Sequence, residues 1–188
     1  HTRYWRDWSS DVCSSDLGYD SIVAAGSHAC ILHWIRNDGE LKSGDLILID
    51  AGVEVESLYT SDITRTLPIN GKFSPAQRKL YTLVYEAQKA GMEAVKPGAK
   101  FRDFHNAAMA VIARGLEEMG VLPISAEESL KPEVGLHRRW TVHGTGHMLG
   151  MDVHDCAKAR KEAYTEGILE EGMILTVEPG LYIHADDT

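Results

Sequence analysis

Apolar and polar positions along this chain follow two different periods. The first is an unbroken apolar run, Leu46 to Ile49, entered through the polar turn Leu41-Lys42-Ser43-Gly44-Asp45 and closed by Asp50-Ala51-Gly52. A run of this length predicts a strand buried on both faces. Met173 to Val177 repeats the pattern, preceded by Glu170-Glu171-Gly172 and followed by Glu178-Pro179-Gly180. Two apolar strands that each deliver a carboxylate, a small or rigid residue and a glycine suggest two related halves. Shorter strands are expected over Ala29–Trp34, Val53–Tyr59 and Ile63–Ile69. Between these stretches the period becomes helical. Ser74-Pro75-Ala76-Gln77 reads as a helix start, with serine as N-cap, proline at the first helical position and glutamine completing a capping box. Leu80, Val84, Ala87 and Gly91 keep one face apolar or small until Pro97-Gly98. A second helix is expected over 101–119, with Phe104, Ala108, Val111, Ile112 and Met119 on one stripe.

Composition narrows the class of protein. A chain of 188 residues with 44% hydrophobic residues can build one core, or one and a fraction. Its net charge of −9 argues against nucleic-acid binding, which normally needs a basic surface, and suits a protein that binds cations. No apolar run approaches the roughly 20 residues that span a bilayer, so neither nucleic acid nor membrane is an expected partner. Cys13, Cys30 and Cys156 are widely spaced and odd in number, which fits unpaired thiols and a cytoplasmic location. Residues 1–17 repeat the triplet Ser-Ser-Asp and show no helical or strand period. They are expected to be a non-native leader, with 18–188 forming the folded part.

Candidate chemistry is concentrated at the strand ends and in one histidine-rich run. Asp50 and Asp62 stand twelve residues apart. If the strands around them pair about a turn near Glu56, the two carboxylates fall directly opposite, with Cβ atoms ~4.5–5.5 Å apart. Carboxylates that close repel, and a divalent cation relieves the repulsion. The same acids could equally be one exposed and one capping residue. The run His143-Gly144-Thr145-Gly146-His147-Met148-Leu149-Gly150-Met151-Asp152-Val153-His154-Asp155 holds three histidines. Its glycines disfavour a helix and permit close approach of other backbone. Mixed aspartate, glutamate and histidine donors suit Mn²⁺, Fe²⁺, Co²⁺ or Zn²⁺. His28, His105, His137 and His184 read as ordinary hydrogen-bonded histidines.

The ordered set Leu32-His33, Ile49-Asp50-Ala51-Gly52, Ser61-Asp62-Ile63-Thr64-Arg65-Thr66, the histidine run and Thr176-Val177-Glu178-Pro179-Gly180 resembles the pita-bread metallopeptidases. The likeness is to their Xaa-Pro aminopeptidase and prolidase branch, from about Gly18 onward. It implies an α+β pita-bread (creatinase/aminopeptidase-like) fold, two pseudo-symmetric αβ halves around a curved sheet, incomplete at the C-terminus. It implies two divalent metal ions, with Mn²⁺ expected and Co²⁺, Zn²⁺ or Fe²⁺ as alternatives. Asp50 would chelate one metal, Asp62 would bridge both, and His147 and Glu178 would bind the second. His33, His143 and His154 would be non-ligand histidines around the substrate, and Glu178 would also move the proton of the attacking water to the leaving nitrogen. The implied substrate is a peptide with proline in second position, whose tertiary amide lacks the N–H that ordinary peptidases use. Homo-oligomers are a further implication.

Two alternatives stay open at this point. A prolidase would cleave only Xaa-Pro dipeptides, and a non-catalytic pita-bread domain would bind peptides without cutting them. The resemblance also implies a bridging glutamate downstream of Glu178 and an amino-terminal domain. Asp186 and Asp187 are the only acids after Glu178. The chain as given is therefore expected to be a truncated catalytic domain, inactive or nearly so, with an unpaired sheet edge.

Overall fold

A computed structural model describes residues 16–187. The leader reading of residues 1–17 thus lies mostly outside the described residues. Its last two members form strand β1 (Asp16–Leu17), which pairs antiparallel with β4 (Val53–Glu54). The chain divides into two compact units, one holding Ser74–His147 and Lys158–Ile183, the other holding the residues up to Phe73, Met148–Ala157 and the residues from His184.

The unit that begins the chain is built on a three-stranded antiparallel sheet, ordered β2 (Ile22–Ala25), β3 (Leu46–Ala51), β5 (Ile63–Pro68). Ile22 faces Asp50, Ala24 faces Leu48, and Asp50 faces Thr64 on the far side. Paired residues share a face. Asp50 therefore lies on the face of Ile22 and Ala24, both buried. The opposite face carries Ile49, Ile63 and Leu67, which are 37%, 51% and 48% exposed. The expectation that Leu46–Ile49 would be buried on both faces is corrected accordingly: a continuous apolar run gives the strand but not what covers it.

Two other strand expectations also change. Ala29–Trp34 is not a strand; a 3₁₀ turn occupies Gly26–Cys30, and the His28 and Trp34 rings stack with centroids 3.9 Å apart. Asn37 pins the same loop by donating to Ser21 O at 2.8 Å and accepting from Val23 N at 2.6 Å. Val53–Tyr59 is a strand only over Val53–Glu54, because the chain turns back on itself. Leu58 N donates to Val55 O at 2.7 Å and Val55 N to Tyr59 O at 3.0 Å, with Leu58 left-handed at φ 67. This is a three-residue hairpin loop whose last residue takes the αL conformation.

The other unit is mainly helical. Helix α1 (Pro75–Ala94) starts with the expected capping box: Ser74 Oγ accepts from Gln77 N at 3.2 Å, and Gln77 Oε1 accepts from Ser74 N at 2.8 Å. Helix α2 (Phe101–Glu118) buries Phe104, Ala108, Met109, Ile112 and Leu116. Ala108, Met109, Ile112 and Leu116 form one core with Ala87 of α1, Leu122 and Trp140. The expected strand Met173–Val177 is no regular strand. It is extended chain that pairs briefly with the histidine run, Thr176 N donating to His147 O at 2.9 Å and Glu178 N to Thr145 O at 2.7 Å.

His137 is buried in this unit. Its main-chain N–H donates to Ser129 Oγ at 2.8 Å, and its Nδ1 lies 3.0 Å from the Ser129 carbonyl oxygen. A carbonyl only accepts, so Nδ1 carries the proton. Burial holds the His137 pKa below the ordinary 6.5; the Ser129 hydrogen bond opposes this and the Arg138 charge adds to it. A depressed folded pKa means the unfolded chain protonates first as pH falls. The stability contribution is therefore present above about pH 6.5 and is lost as pH falls through the folded value. Urea midpoints measured from pH 7.5 down to 4.5 for the native protein and His137→Asn should converge across that window. A constant difference would contradict the assignment.

Candidate metal centre

The first unit brings Asp50 and Asp62 together, though not as directly opposed residues. The register pairs Asp50 with Thr64 and Ala51 with Ile63, so the hairpin centres on Ser57 rather than Glu56. Asp62 then stands diagonal to Asp50 on the same face, opposite Gly52. The physical cause is the three-residue loop at 56–58, which moves the turn one residue along the chain. Diagonal neighbours remain within reach of a shared partner.

That partner is Tyr19, which sequence reasoning missed. Its hydroxyl oxygen lies 2.5 Å from Asp50 Oδ1 and 2.9 Å from Asp62 Oδ1. Burial, and then the hydrogen bonds and charges of the two carboxylates, hold its pKa far above the ordinary 10. The phenol therefore stays protonated and donates. Gly52 makes the arrangement feasible: a Cβ there would sit 1.9 Å from Ser61 O and 2.5 Å from Tyr19 Cε1. Nothing in the linear sequence marks Tyr19, which is 31 residues from Asp50 and 43 from Asp62.

His33 and His154 belong to this unit and are exposed. His33 is left-handed at φ 56, an uncommon conformation for a residue with a Cβ. Its carbonyl accepts from Ile35 N at 2.7 Å.

The second unit brings together His147 and Glu178. His147 Nε2 and Glu178 Oε1 are 3.1 Å apart, with side chains 17% and 31% exposed. Thr176 lies between them in the hydrogen-bond pattern. Its Oγ1 accepts from His147 N at 3.1 Å and donates to Glu178 Oε1 at 2.9 Å. Gly146 lets the two segments meet, since a Cβ there would stand 2.0 Å from Thr176 O. Thr145 is buried and its Oγ1 lies 2.8 Å from His105 Nδ1. His105, read as an ordinary histidine, supports the run from α2; burial, then the Arg102 charge, lowers its pKa.

His143 sits in the same unit with a defined tautomer. Its Nδ1 is 2.7 Å from Gly144 O, which can only accept, so Nδ1 carries the proton. Nε2 then accepts from the Tyr182 hydroxyl at 2.9 Å.

The donors fit divalent metal ions. Two ligands ~2.1 Å from one ion and about 90° apart are separated by roughly 3 Å, and the His147–Glu178 pair stands at 3.1 Å. The Asp50 and Asp62 carboxylates converge on one hydroxyl and share a single proton, an arrangement that a cation relieves. Oxygen donors with one imidazole suit Mn²⁺, Fe²⁺, Co²⁺ or Zn²⁺ rather than a thiolate-binding ion.

Comparison with known proteins agrees with this chemistry. Residues 6–187 match metallopeptidase family M24. The chain is 62% identical over 176 residues to Xaa-Pro aminopeptidase 1 of Streptomyces coelicolor, covering 94% of this chain and 35% of that protein. Among solved structures it is similar to Pseudomonas aeruginosa aminopeptidase PepP, with a TM-score of 0.87, 43% identity, and 98% and 41% of the two chains covered. It is also similar to a Glu-to-Ala variant of Escherichia coli aminopeptidase P in complex with substrate, with a TM-score of 0.84, 40% identity, and 91% and 38% covered. The pita-bread fold implied by the motifs is the one these structures share with the chain. The chain spans about a third of the length of the Streptomyces relative.

Proposed function

The chain belongs to metallopeptidase family M24, and from this we propose that the protein carrying it is a di-metal Xaa-Pro aminopeptidase. It releases the first residue of peptides with proline in second position. Residues 18–188 are part of its catalytic domain. The observation that carries the reading is the His147–Glu178 pair at metal-ligand separation, in a motif order that also supplies Asp50 and Asp62. Asp50 and Asp62 would be the carboxylate ligands, with Asp62 shared between the two ions, and His147 and Glu178 would hold the second ion. Mn²⁺ is the proposed metal, with Co²⁺, Zn²⁺ and Fe²⁺ as alternatives. When bound, a pair of such ions supplies an acidified water and positive charge for a developing oxyanion.

The chain's own residues do the rest. Glu178 accepts the water proton and passes it to the leaving proline nitrogen, which has no N–H of its own. His143 presents Nε2 as an acceptor, held by its Nδ1–H to Gly144 O, so Tyr182 supplies the proton at that atom. His33 and His154 surround the substrate, and one of them stabilises the developing oxyanion. The protein works in the cytoplasm and self-associates. Among the described residues no helix is long and apolar enough to cross a membrane.

The test uses the whole protein with Mn²⁺ and an equimolar mixture of Ala-Pro-Ala and Ala-Pro, followed by mass spectrometry with a chelator control. Loss of alanine from the tripeptide, abolished by chelator, is the expected result. Cleavage of the dipeptide alone would instead make it a prolidase. A folded, metal-loaded protein that cuts neither peptide would leave the peptide-binding reading in its place.

A further inference from the structure

Thr176 has a hydrogen-bonding role that no ligand assignment includes. Its own N–H donates to His147 O at 2.9 Å, as a strand residue would. The return bond is unusual. His147 N–H goes to the Thr176 side-chain oxygen at 3.1 Å, where a regular antiparallel ladder would use the main-chain carbonyl. A backbone N–H can only donate, so Oγ1 is the acceptor there. One hydroxyl proton remains, and the carboxylate oxygen Glu178 Oε1 at 2.9 Å can only accept it. Glu178 Oε1 in turn stands 3.1 Å from His147 Nε2. The loop is closed: main chain of His147, hydroxyl of Thr176, carboxylate of Glu178, imidazole of His147.

We infer that Thr176 is a positioning residue whose hydroxyl fixes the Glu178 carboxylate against the His147 imidazole and so sets the affinity for the ion these two hold. This rests on the metal reading proposed above. Thr176 touches neither substrate nor metal in that reading; it acts through its two neighbours. The polarity of the chain of hydrogen bonds makes the requirement chemical rather than steric. Serine keeps the acceptor and the proton, whereas valine keeps the shape and loses both. Partners of this kind are worth ~10–100-fold in metal affinity or activity when removed.

The test is a metal titration, independent of turnover. The whole protein is freed of metal and titrated with Mn²⁺ by calorimetry, as native protein, Thr176→Val and Thr176→Ser. Electron paramagnetic resonance follows the occupancy of neighbouring sites. The native protein should bind two ions and give the exchange-coupled signal of a pair. In Thr176→Val one of the two binding events should weaken ~10–100-fold while the other is retained. The spectrum at low Mn²⁺ should become that of an isolated ion. Thr176→Ser should titrate like the native protein. If the valine variant fails to fold, Thr176→Ala removes the same hydroxyl with a smaller side chain and is read in the same way. Two native-like binding events in the valine or alanine variant would overturn the inference. So would a serine variant as weak as valine, since packing rather than the hydroxyl would then matter. A native protein that binds no divalent ion at all would overturn the metallopeptidase reading itself, and this inference with it.

Discussion

Asp62→Asn in the whole protein is expected to lower kcat/KM for an Xaa-Pro peptide at least ~1,000-fold, about 4 kcal/mol of transition-state stabilisation. The proposed role makes Asp62 the bridging ligand. Asparagine keeps the side-chain shape and still offers Tyr19 an acceptor oxygen where the carboxylate stood at 2.9 Å. The charge is lost, and one acceptor oxygen becomes an NH2 donor. The same substitution removes one of two carboxylates crowded around a single hydroxyl. Without metal, the variant should therefore melt at the same temperature as the native protein or higher. Loss of bound metal with undiminished metal-free stability is the signature to look for, by elemental analysis and by thermal unfolding in chelator. A variant that holds two ions and turns over like the native protein would remove Asp62 from the centre. A variant that simply unfolds would assign it a structural role.

The second large effect concerns two glycines of one short motif. A Cβ on Gly146 would stand 2.0 Å from Thr176 O and 3.1 Å from Phe104 Cε2. The first of these is backbone and cannot swing aside. Relief requires the segments to separate, which breaks the bonds from Thr176 N to His147 O and from Glu178 N to Thr145 O. Gly146→Ala should destabilise the protein by about 1–3 kcal/mol or more and abolish binding of the ion proposed for His147 and Glu178. Gly144, two residues earlier, meets nothing within 4 Å of a built Cβ. Gly144→Ala should change stability by no more than ~0.5 kcal/mol. Urea unfolding of both variants decides the matter. Equal sensitivity at the two positions would mean that the motif needs its glycines for backbone conformation rather than for the close approach at Thr176.

The features legible in the sequence are those governed by neighbours along the chain. The capping box from Ser74 to Gln77 spans only four residues and forms as read. The apolar stripe of α2 comes from a 3.6-residue period, and strand β3, which carries Asp50, from a run of four apolar residues. The motif order from His33 to Glu178 likewise sufficed to indicate the family that residues 6–187 match.

Where local preference and tertiary context disagree, the sequence misleads. Ala29–Trp34 has the composition of a strand, yet its first residues lie in a 3₁₀ turn and the His28–Trp34 stack closes it into a loop. Met173–Val177 has a strand's apolar pattern, but Thr176 spends its side chain on the pairing and the ladder stays irregular. A one-residue shift in the centre of the 56–58 loop moved Asp62 from opposite Asp50 to its diagonal.

The sequence by itself determined the start of α1, the stripe of α2 and strand β3, because each depends on residue type and short-range spacing, and its motif order indicated the fold class and the candidate ligands by resemblance. Only the tertiary structure decided how those ligands are held. Tyr19 reaches Asp50 and Asp62 across 31 and 43 residues, and Thr176 joins His147 to Glu178 across 29. No local propensity encodes a hydrogen bond at that separation. It exists because the packed chain brings one hydroxyl to two groups at once, with Gly52 and Gly146 leaving the space for it.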